Sequence, residues 1–201
     1  MRCLMCQKKF SEGTWQDIFL QDDPLCYECR SKWERKKIRF KFEGVPVRSS
    51  YVYNEAFSSC LIQYKECYDE ALKDIFLYEV KNQLKRMYPG YTFLLMPSSQ
   101  TKEKERGFSH LEKIFEDTNI PTLQPFIKDV DVAQKGLTKE ERLNMSKHIY
   151  LKEDVSLPKK IVLFDDTITT GATISGALSC LDKDRHKIRI YTLSANAAWL
   201  K

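Results

Sequence analysis

The sequence predicts an α/β fold built on a parallel sheet, with a small cysteine-bound module ahead of it. Three observations point that way. The run Ile161-Val162-Leu163-Phe164 is apolar throughout, without the alternation of a half-exposed strand. It leads through Asp165-Asp166-Thr167-Ile168 into a glycine turn, Thr169-Thr170-Gly171-Ala172-Thr173, and then into a helical pattern. Strand-like and helix-like segments alternate through most of the chain after residue 44. Finally, four of the seven cysteines fall as Cys3-x-x-Cys6 and Cys26-x-x-Cys29.

A chain of 201 residues, 42% hydrophobic and 30% charged, holds either one large domain or a medium domain with a small one. We expect a four-cysteine zinc-binding module with a basic segment over residues 1–43 and the α/β domain over residues 44–201. No apolar run approaches the roughly 18–20 residues that span a bilayer. The start Met1-Arg2-Cys3 and the polar residues after it offer no secretory h-region, so the expected compartment is the cytoplasm.

In the N-terminal module each Cys-x-x-Cys pair can chelate one ion from a tight turn. The nineteen intervening residues close a loop that brings the pairs together. Four thiolates make a closed tetrahedral set, the pattern of a structural Zn²⁺ site with no open position. The loop offers Gly13, Trp15, Phe19 and Pro24, too few apolar groups for a core of its own, so a metal would supply the stability. Disulfides are the competing reading, disfavoured in a reducing compartment. Cys60, Cys67 and Cys180 read as small core residues.

The net charge is only +5, but its placement is uneven. Arg30, Lys32, Arg35, Lys36, Lys37, Arg39, Lys41 and Arg48 face only Glu34 and Glu43, with Trp33, Phe40 and Phe42 interleaved. Such a stretch tracks a nucleic-acid backbone and stacks bases, with Lys36, Lys37 and Arg39 as candidate contacts, or it is simply a solvated basic face. Glu43-Gly44-Val45-Pro46 reads as the joint to the next unit. A strand is expected over residues 48–53, then two helices over 55–87 broken around 67–69. Pro89-Gly90 ends that region, and residues 91–96 read as a buried strand stopping at Pro97. A helix over 108–115 and a strand region from Pro121 to Ile127 follow. The polar stretch 128–147 reads as a mobile loop. After the apolar run come a helix to about Leu181 and a last strand over 187–193. Such an α/β order puts a ligand at the carboxyl ends of the strands.

The chemistry of the glycine turn is that of a phosphate beside a sugar. Backbone N–H groups at a helix N-terminus favour an anion, and Thr169, Thr170 and Thr173 add hydroxyl donors. Gly171 lets the backbone come close without a side chain in the way. Asp165 and Asp166 would repel a phosphate in the same cradle and make better acceptors for sugar hydroxyls or aids to a metal ion. The string resembles the phosphoribosyl-diphosphate (PRPP) signature of type I phosphoribosyltransferases. That resemblance implies that the acidic pair holds the ribose hydroxyls and residues 169–173 bind the 5′-phosphate. Thr167 departs from it, standing where an apolar residue is usual.

Over nearly the whole chain the order of motifs resembles the ComF family, within it the ComFC-like competence proteins. The resemblance rests on the paired Cys-x-x-Cys module, residues 65–69, Met96-Pro97-Ser98-Ser99 and Glu105-Arg106-Gly107-Phe108-Ser109. Gln134, Leu137, Glu141-Arg142, Asn144 and the phosphoribosyl string complete it. It implies a type I phosphoribosyltransferase-like domain and a cytosolic role in natural transformation, beside the ComFA helicase, where imported single-stranded DNA is handled. Ser98 and Ser99 then fall where a diphosphate loop lies. Arg106, entering a helix, could reach a phosphate, and Arg142 could close over the diphosphate. The plain alternative for both arginines is a surface ion pair. Lys128 replaces a more usual arginine and Ser109-His110 a more usual Asn-Gln. His110, His148 and His186 are isolated and receive no metal or proton-transfer role.

Three functions compete: a DNA-handling competence protein that binds PRPP, a working phosphoribosyltransferase using Mg²⁺-PRPP with Asp165 and Asp166 orienting the ribose, and a PRPP sensor without turnover. No acceptor-binding hood is recognisable in the sequence, which leaves them open, as it leaves the oligomeric state.

Overall fold

The structure is a computed structural model that describes residues 2–9, 23–128 and 149–200. The loop expected over 128–147, with Arg142, lies outside the described residues apart from Lys128.

After the short helix α1 (Tyr27–Arg30) come the strands β1 (Arg35–Phe42) and β2 (Val45–Val52), paired antiparallel. Of residues 43–46, expected as a joint between units, 43–44 form the two-residue turn of this hairpin and 45–46 open β2. Glu43 at φ 49° and Gly44 at φ 81° supply the two left-handed positions that a tight hairpin needs. The basic segment is therefore a strand: from Ile38 onward, apolar and charged residues alternate.

Helix α2 (Glu55–Glu66) starts at Asn54, whose side chain accepts from the Phe57 N–H, and ends at Cys67. A 3₁₀ turn (Glu70–Leu72) leads to α3 (Lys73–Leu77) and α4 (Lys81–Met87). Then follow β3 (Thr92–Leu95), α5 (Gln100–Arg106), α6 (His110–Phe115) and the short β4 (Thr122–Leu123). Strands β5 (Phe126–Lys128) and β6 (Ile149–Leu151) pair by themselves. The chain closes with β7 (Lys160–Ile168), α7 (Ala172–Ser179), β8 (Lys187–Ala195) and a 3₁₀ turn (Ala197–Trp199).

The main sheet runs β1-β2-β8-β7-β3-β4, with every pair from β2 to β4 parallel, as the apolar run predicts. Ile161, Val162, Leu163 and Phe164 are all fully buried at its centre. One aromatic cluster, Phe93, Phe115, Phe164 and Tyr191, packs on one face of this centre. Two expectations change. Arg106 does not open a helix: it ends α5, capped by Gly107 in the left-handed region at φ 80°. Cys67 is exposed, because it sits where α2 stops, whereas Cys60 is buried as expected.

The N-terminal cysteine region is fastened to the helices by a buried ion pair. Arg30 Nε and Nη2 each donate to a different Asp23 carboxylate oxygen at 2.7 Å, and Nη1 donates to the Ile75 carbonyl at 3.0 Å. Both charges are almost completely enclosed, so Arg30 adds nothing to the basic surface of β1. Trp33 is likewise buried, against Phe57 and Tyr51, and offers no ring to a base.

Candidate functional site

The carboxyl end of β3 lies beside the middle of β7: Leu95 pairs with Phe164, and the Met96 N–H donates to the Phe164 carbonyl at 2.9 Å. This places Pro97-Ser98-Ser99 beside Asp165-Asp166. The strand continues through both aspartates to Ile168, so their side chains leave β7 on opposite faces.

Asp166 is buried, and its Oδ2 accepts from Lys65 Nζ at 2.8 Å and from His110 Nε2 at 2.7 Å. Burial works against its charge, but Lys65 and His110 outweigh that and hold the carboxyl well below the usual carboxylate range. His110, at the first position of α6 and 4% exposed, also bonds Ser98 Oγ through Nδ1 at 3.0 Å. Tyr64 OH donates to the His110 carbonyl at 2.7 Å and fixes the turn. Arg106 is buried; its Nε donates to the Lys65 carbonyl at 2.8 Å, while Nη1 meets no hydrogen-bond partner among the described residues.

Asp165 is the more open carboxylate and makes no ion pair among the described residues. Its Oδ1 accepts the Asp166 N–H at 2.9 Å. Burial and the neighbouring Asp166 charge push its carboxyl up, so a hydroxyl or cation brought to it would relieve a real cost.

The glycine turn follows directly. Thr169, Thr170 and Ala172 are exposed, Thr173 is half-buried, and Gly171 is buried with φ 82° at the N-terminus of α7. A Cβ on Gly171 would lie 2.5 Å from the Phe42 ring, so the glycine is demanded by that ring and by its backbone conformation. Trp199 Nε1 donates to the Thr169 carbonyl at 2.7 Å, and its ring stacks on Phe40 at 4.7 Å between centroids. The half-exposed rings of Phe40, Phe42 and Trp199 thus border the turn. Lys36, Lys37 and Arg39 are exposed on the same edge strand that supplies the two phenylalanines.

At the N-terminus the four sulfurs of Cys3, Cys6, Cys26 and Cys29 lie within 4.8 Å of one another and are unbonded. Cys6 and Cys26 Sγ are 3.7 Å apart, close to the ~3.8 Å edge of a tetrahedron with ~2.3 Å zinc–sulfur bonds. Burial opposes ionisation of Cys3, yet the N–H groups of Cys6, Cys26 and Met5 outweigh it and bring the thiol down to about 7. Burial and the crowded sulfurs push Cys29 up, so the set cannot ionise together without a cation. These four residues can hold a metal ion and fit a structural zinc module.

The fold thus joins Ser98 to Asp166 and brings Arg106 behind them, while Arg142 lies outside the described residues. Lys65 and His110 are the residues that sequence reasoning missed. Lys65 belonged to a motif without an assigned role, and His110 has no spacing rule linking it to an aspartate 56 positions away.

Two known proteins are similar to this chain over almost its whole length. Competence protein ComFC of Bacillus subtilis (strain 168) is 30% identical over 211 residues, covering 89% of this chain and 88% of the relative. Competence protein ComFC of Streptococcus pneumoniae (strain ATCC BAA-255 / R6) is 29% identical over 208 residues, covering 91% and 94%. No protein-family model matches the chain. Among the described residues no helix is long and apolar enough to cross a membrane.

Proposed function

The chain belongs to the ComFC family of competence proteins, and from that premise we propose that it serves natural transformation by handling imported single-stranded DNA in the cytoplasm and binding PRPP. The observation that carries the reading is the end of β7. There a half-buried carboxylate with no ion pair among the described residues, Asp165, stands near the exposed Thr169 and Thr170 and the N-terminus of α7.

In this reading Asp165 accepts from the ribose hydroxyls, and Thr169 to Thr173 hold the 5′-phosphate through hydroxyls and backbone N–H groups. Asp166 acts mainly through Lys65 and His110, which lock the strand end. Ser98 and Ser99 meet the diphosphate, with Arg106 behind them and Arg142 closing from the segment outside the described residues. Mg²⁺ would neutralise the diphosphate, with Asp165 as the carboxylate free to approach it. Zn²⁺ holds Cys3, Cys6, Cys26 and Cys29. Lys36, Lys37 and Arg39, exposed on β1, track the phosphates of a single strand. A ComFA-like helicase is the fitting partner.

A second reading, turnover, is favoured by the same carboxylate, since orienting the ribose is what transfer to a nitrogen acceptor requires. Incubation with PRPP and Mg²⁺ separates the two: diphosphate release only with an added base or single-stranded DNA identifies an enzyme, and binding without release a sensor. For DNA, changing Lys36, Lys37 and Arg39 together to glutamine should weaken binding of a single-stranded oligonucleotide and flatten its salt dependence. Unchanged affinity and slope would defeat that part.

A further inference from the structure

The bond pattern around His110 has a consequence for the anion expected at Ser98. Asp166 is ionised and can only accept, so His110 Nε2 must carry a hydrogen and donate to it across 2.7 Å. In the neutral imidazole Nδ1 is then a bare acceptor, and Ser98 Oγ, 3.0 Å away, must spend its only hydrogen on it. A hydroxyl so engaged presents lone pairs, not a donor, to whatever sits beyond it. Ser98 lines a cavity of about 270 Å³ with Gln124, Lys128 and Lys152, a polar recess holding two cations against the single carboxylate of Glu103.

We propose that His110 is a positioning residue that couples anion binding at Ser98 to uptake of a proton. When the imidazole is protonated, Nδ1–H donates to Ser98 Oγ, the hydroxyl rotates, and its hydrogen points into the cavity toward a phosphate oxygen. The inference rests on the reading of Ser98 as part of a diphosphate site and adds its regulation.

The surroundings set the resting state. Burial disfavours the imidazolium, Asp166 on β7 favours it, and Lys65 on α2 and Arg106 on α5 disfavour it, with a net downward result. Glu103 on α5 lines the same cavity; burial raises its carboxyl, while Ser109, Arg106 and Lys152 work against that rise, and it is no hydrogen-bond partner of His110 among the described residues. Tyr64 donates only to the His110 backbone carbonyl. The resting ring is therefore neutral at pH 7, and Ser98 is turned toward it. A di- or trianion in the cavity supplies the missing negative charge and draws the proton in.

The test is calorimetry of PRPP, and separately of inorganic diphosphate, each with Mg²⁺, in buffers of different ionisation enthalpy. The slope of the observed heat against that enthalpy counts protons. Because the ligand phosphates titrate near neutrality, the wild type is compared with His110→Gln, which keeps an N–H for Asp166 but cannot bind a further proton. The wild type is expected to take up about one proton more than the variant, and to lose affinity up to about tenfold more per pH unit above neutrality. Ser98→Ala, which leaves His110 untouched, is expected to lose the same increment, and thermal melts confirm that both variants fold. Binding with equal proton uptake in wild type and His110→Gln overturns this proposal and leaves the PRPP reading standing. No binding of either probe by the wild type overturns both.

Discussion

Replacing Gly171 by alanine probes how the phosphate turn is held. The glycine sits at φ 82°, and a Cβ there would approach Cε2 and Cζ of Phe42 to 2.5 Å. The left-handed backbone costs an L-residue about 1–2 kcal/mol. Forcing the ring aside adds about 1–3 kcal/mol, the range for an overpacked contact. Gly171→Ala is therefore expected to lower unfolding free energy by about 2–5 kcal/mol, read from urea titrations followed by circular dichroism. In a Phe42→Ala background the ring is gone, and the same change should cost only the backbone part, about 1–2 kcal/mol. The cycle thus gives a coupling of about 1–3 kcal/mol. Strictly additive costs would refute the placement of Phe42 over the turn. The double variant also shows whether the aromatic edge shapes the ligand site, since it restores room at the turn without restoring the ring.

Arg30→Ala leaves the buried Asp23 without its counter-ion, with only the Leu25 N–H still donating to it among the described residues, and should destabilise the chain by about 3–5 kcal/mol in the same titration; an unchanged midpoint would contradict the buried fastening. Freshly purified protein should carry one equivalent of zinc by metal analysis, and Cys26→Ser should release it; metal-free wild type would end the four-thiolate reading. The folded Asp166 carboxyl lies below its unfolded value, so its contribution to stability is fully present above the ordinary carboxylate range and is lost progressively as pH falls from that range down through the depressed folded value. Asp166→Asn should flatten that acid limb of stability against pH, and an identical limb in the variant would remove Asp166 as its source.

The parts of the fold written in local pattern were legible. The unbroken apolar run of β7, the turn after it and the helix around Leu61 need only neighbours in sequence; the second helix expected up to residue 87 is instead divided into a 3₁₀ turn, α3 and α4. The Cys-x-x-Cys pairs are legible for the same reason. Strand β1 was legible too, in the alternation Ile38-Arg39-Phe40-Lys41-Phe42, but its charge drew attention to partners rather than to a sheet edge. Helix α5 was not, because Gln100 to Arg106 are all polar and give no apolar periodicity. Within the site, Asp165 and the threonines follow from one motif. The Ser98–His110–Asp166–Lys65 chain does not, because its members come from separate elements that meet only once β3 and β7 pair in parallel.

The most direct measurement is a calorimetric titration of PRPP with Mg²⁺ into the wild type and Asp165→Asn. The account predicts saturable binding to one site in the wild type. It also predicts a loss of at least about tenfold in affinity for Asp165→Asn with the fold intact, because that carboxylate has no ion pair among the described residues and can accept from the ribose; tenfold corresponds to about 1.4 kcal/mol, the scale of one hydrogen bond to a charged group. Equal affinity in the two proteins, or no binding by the wild type, would contradict the phosphoribosyl site.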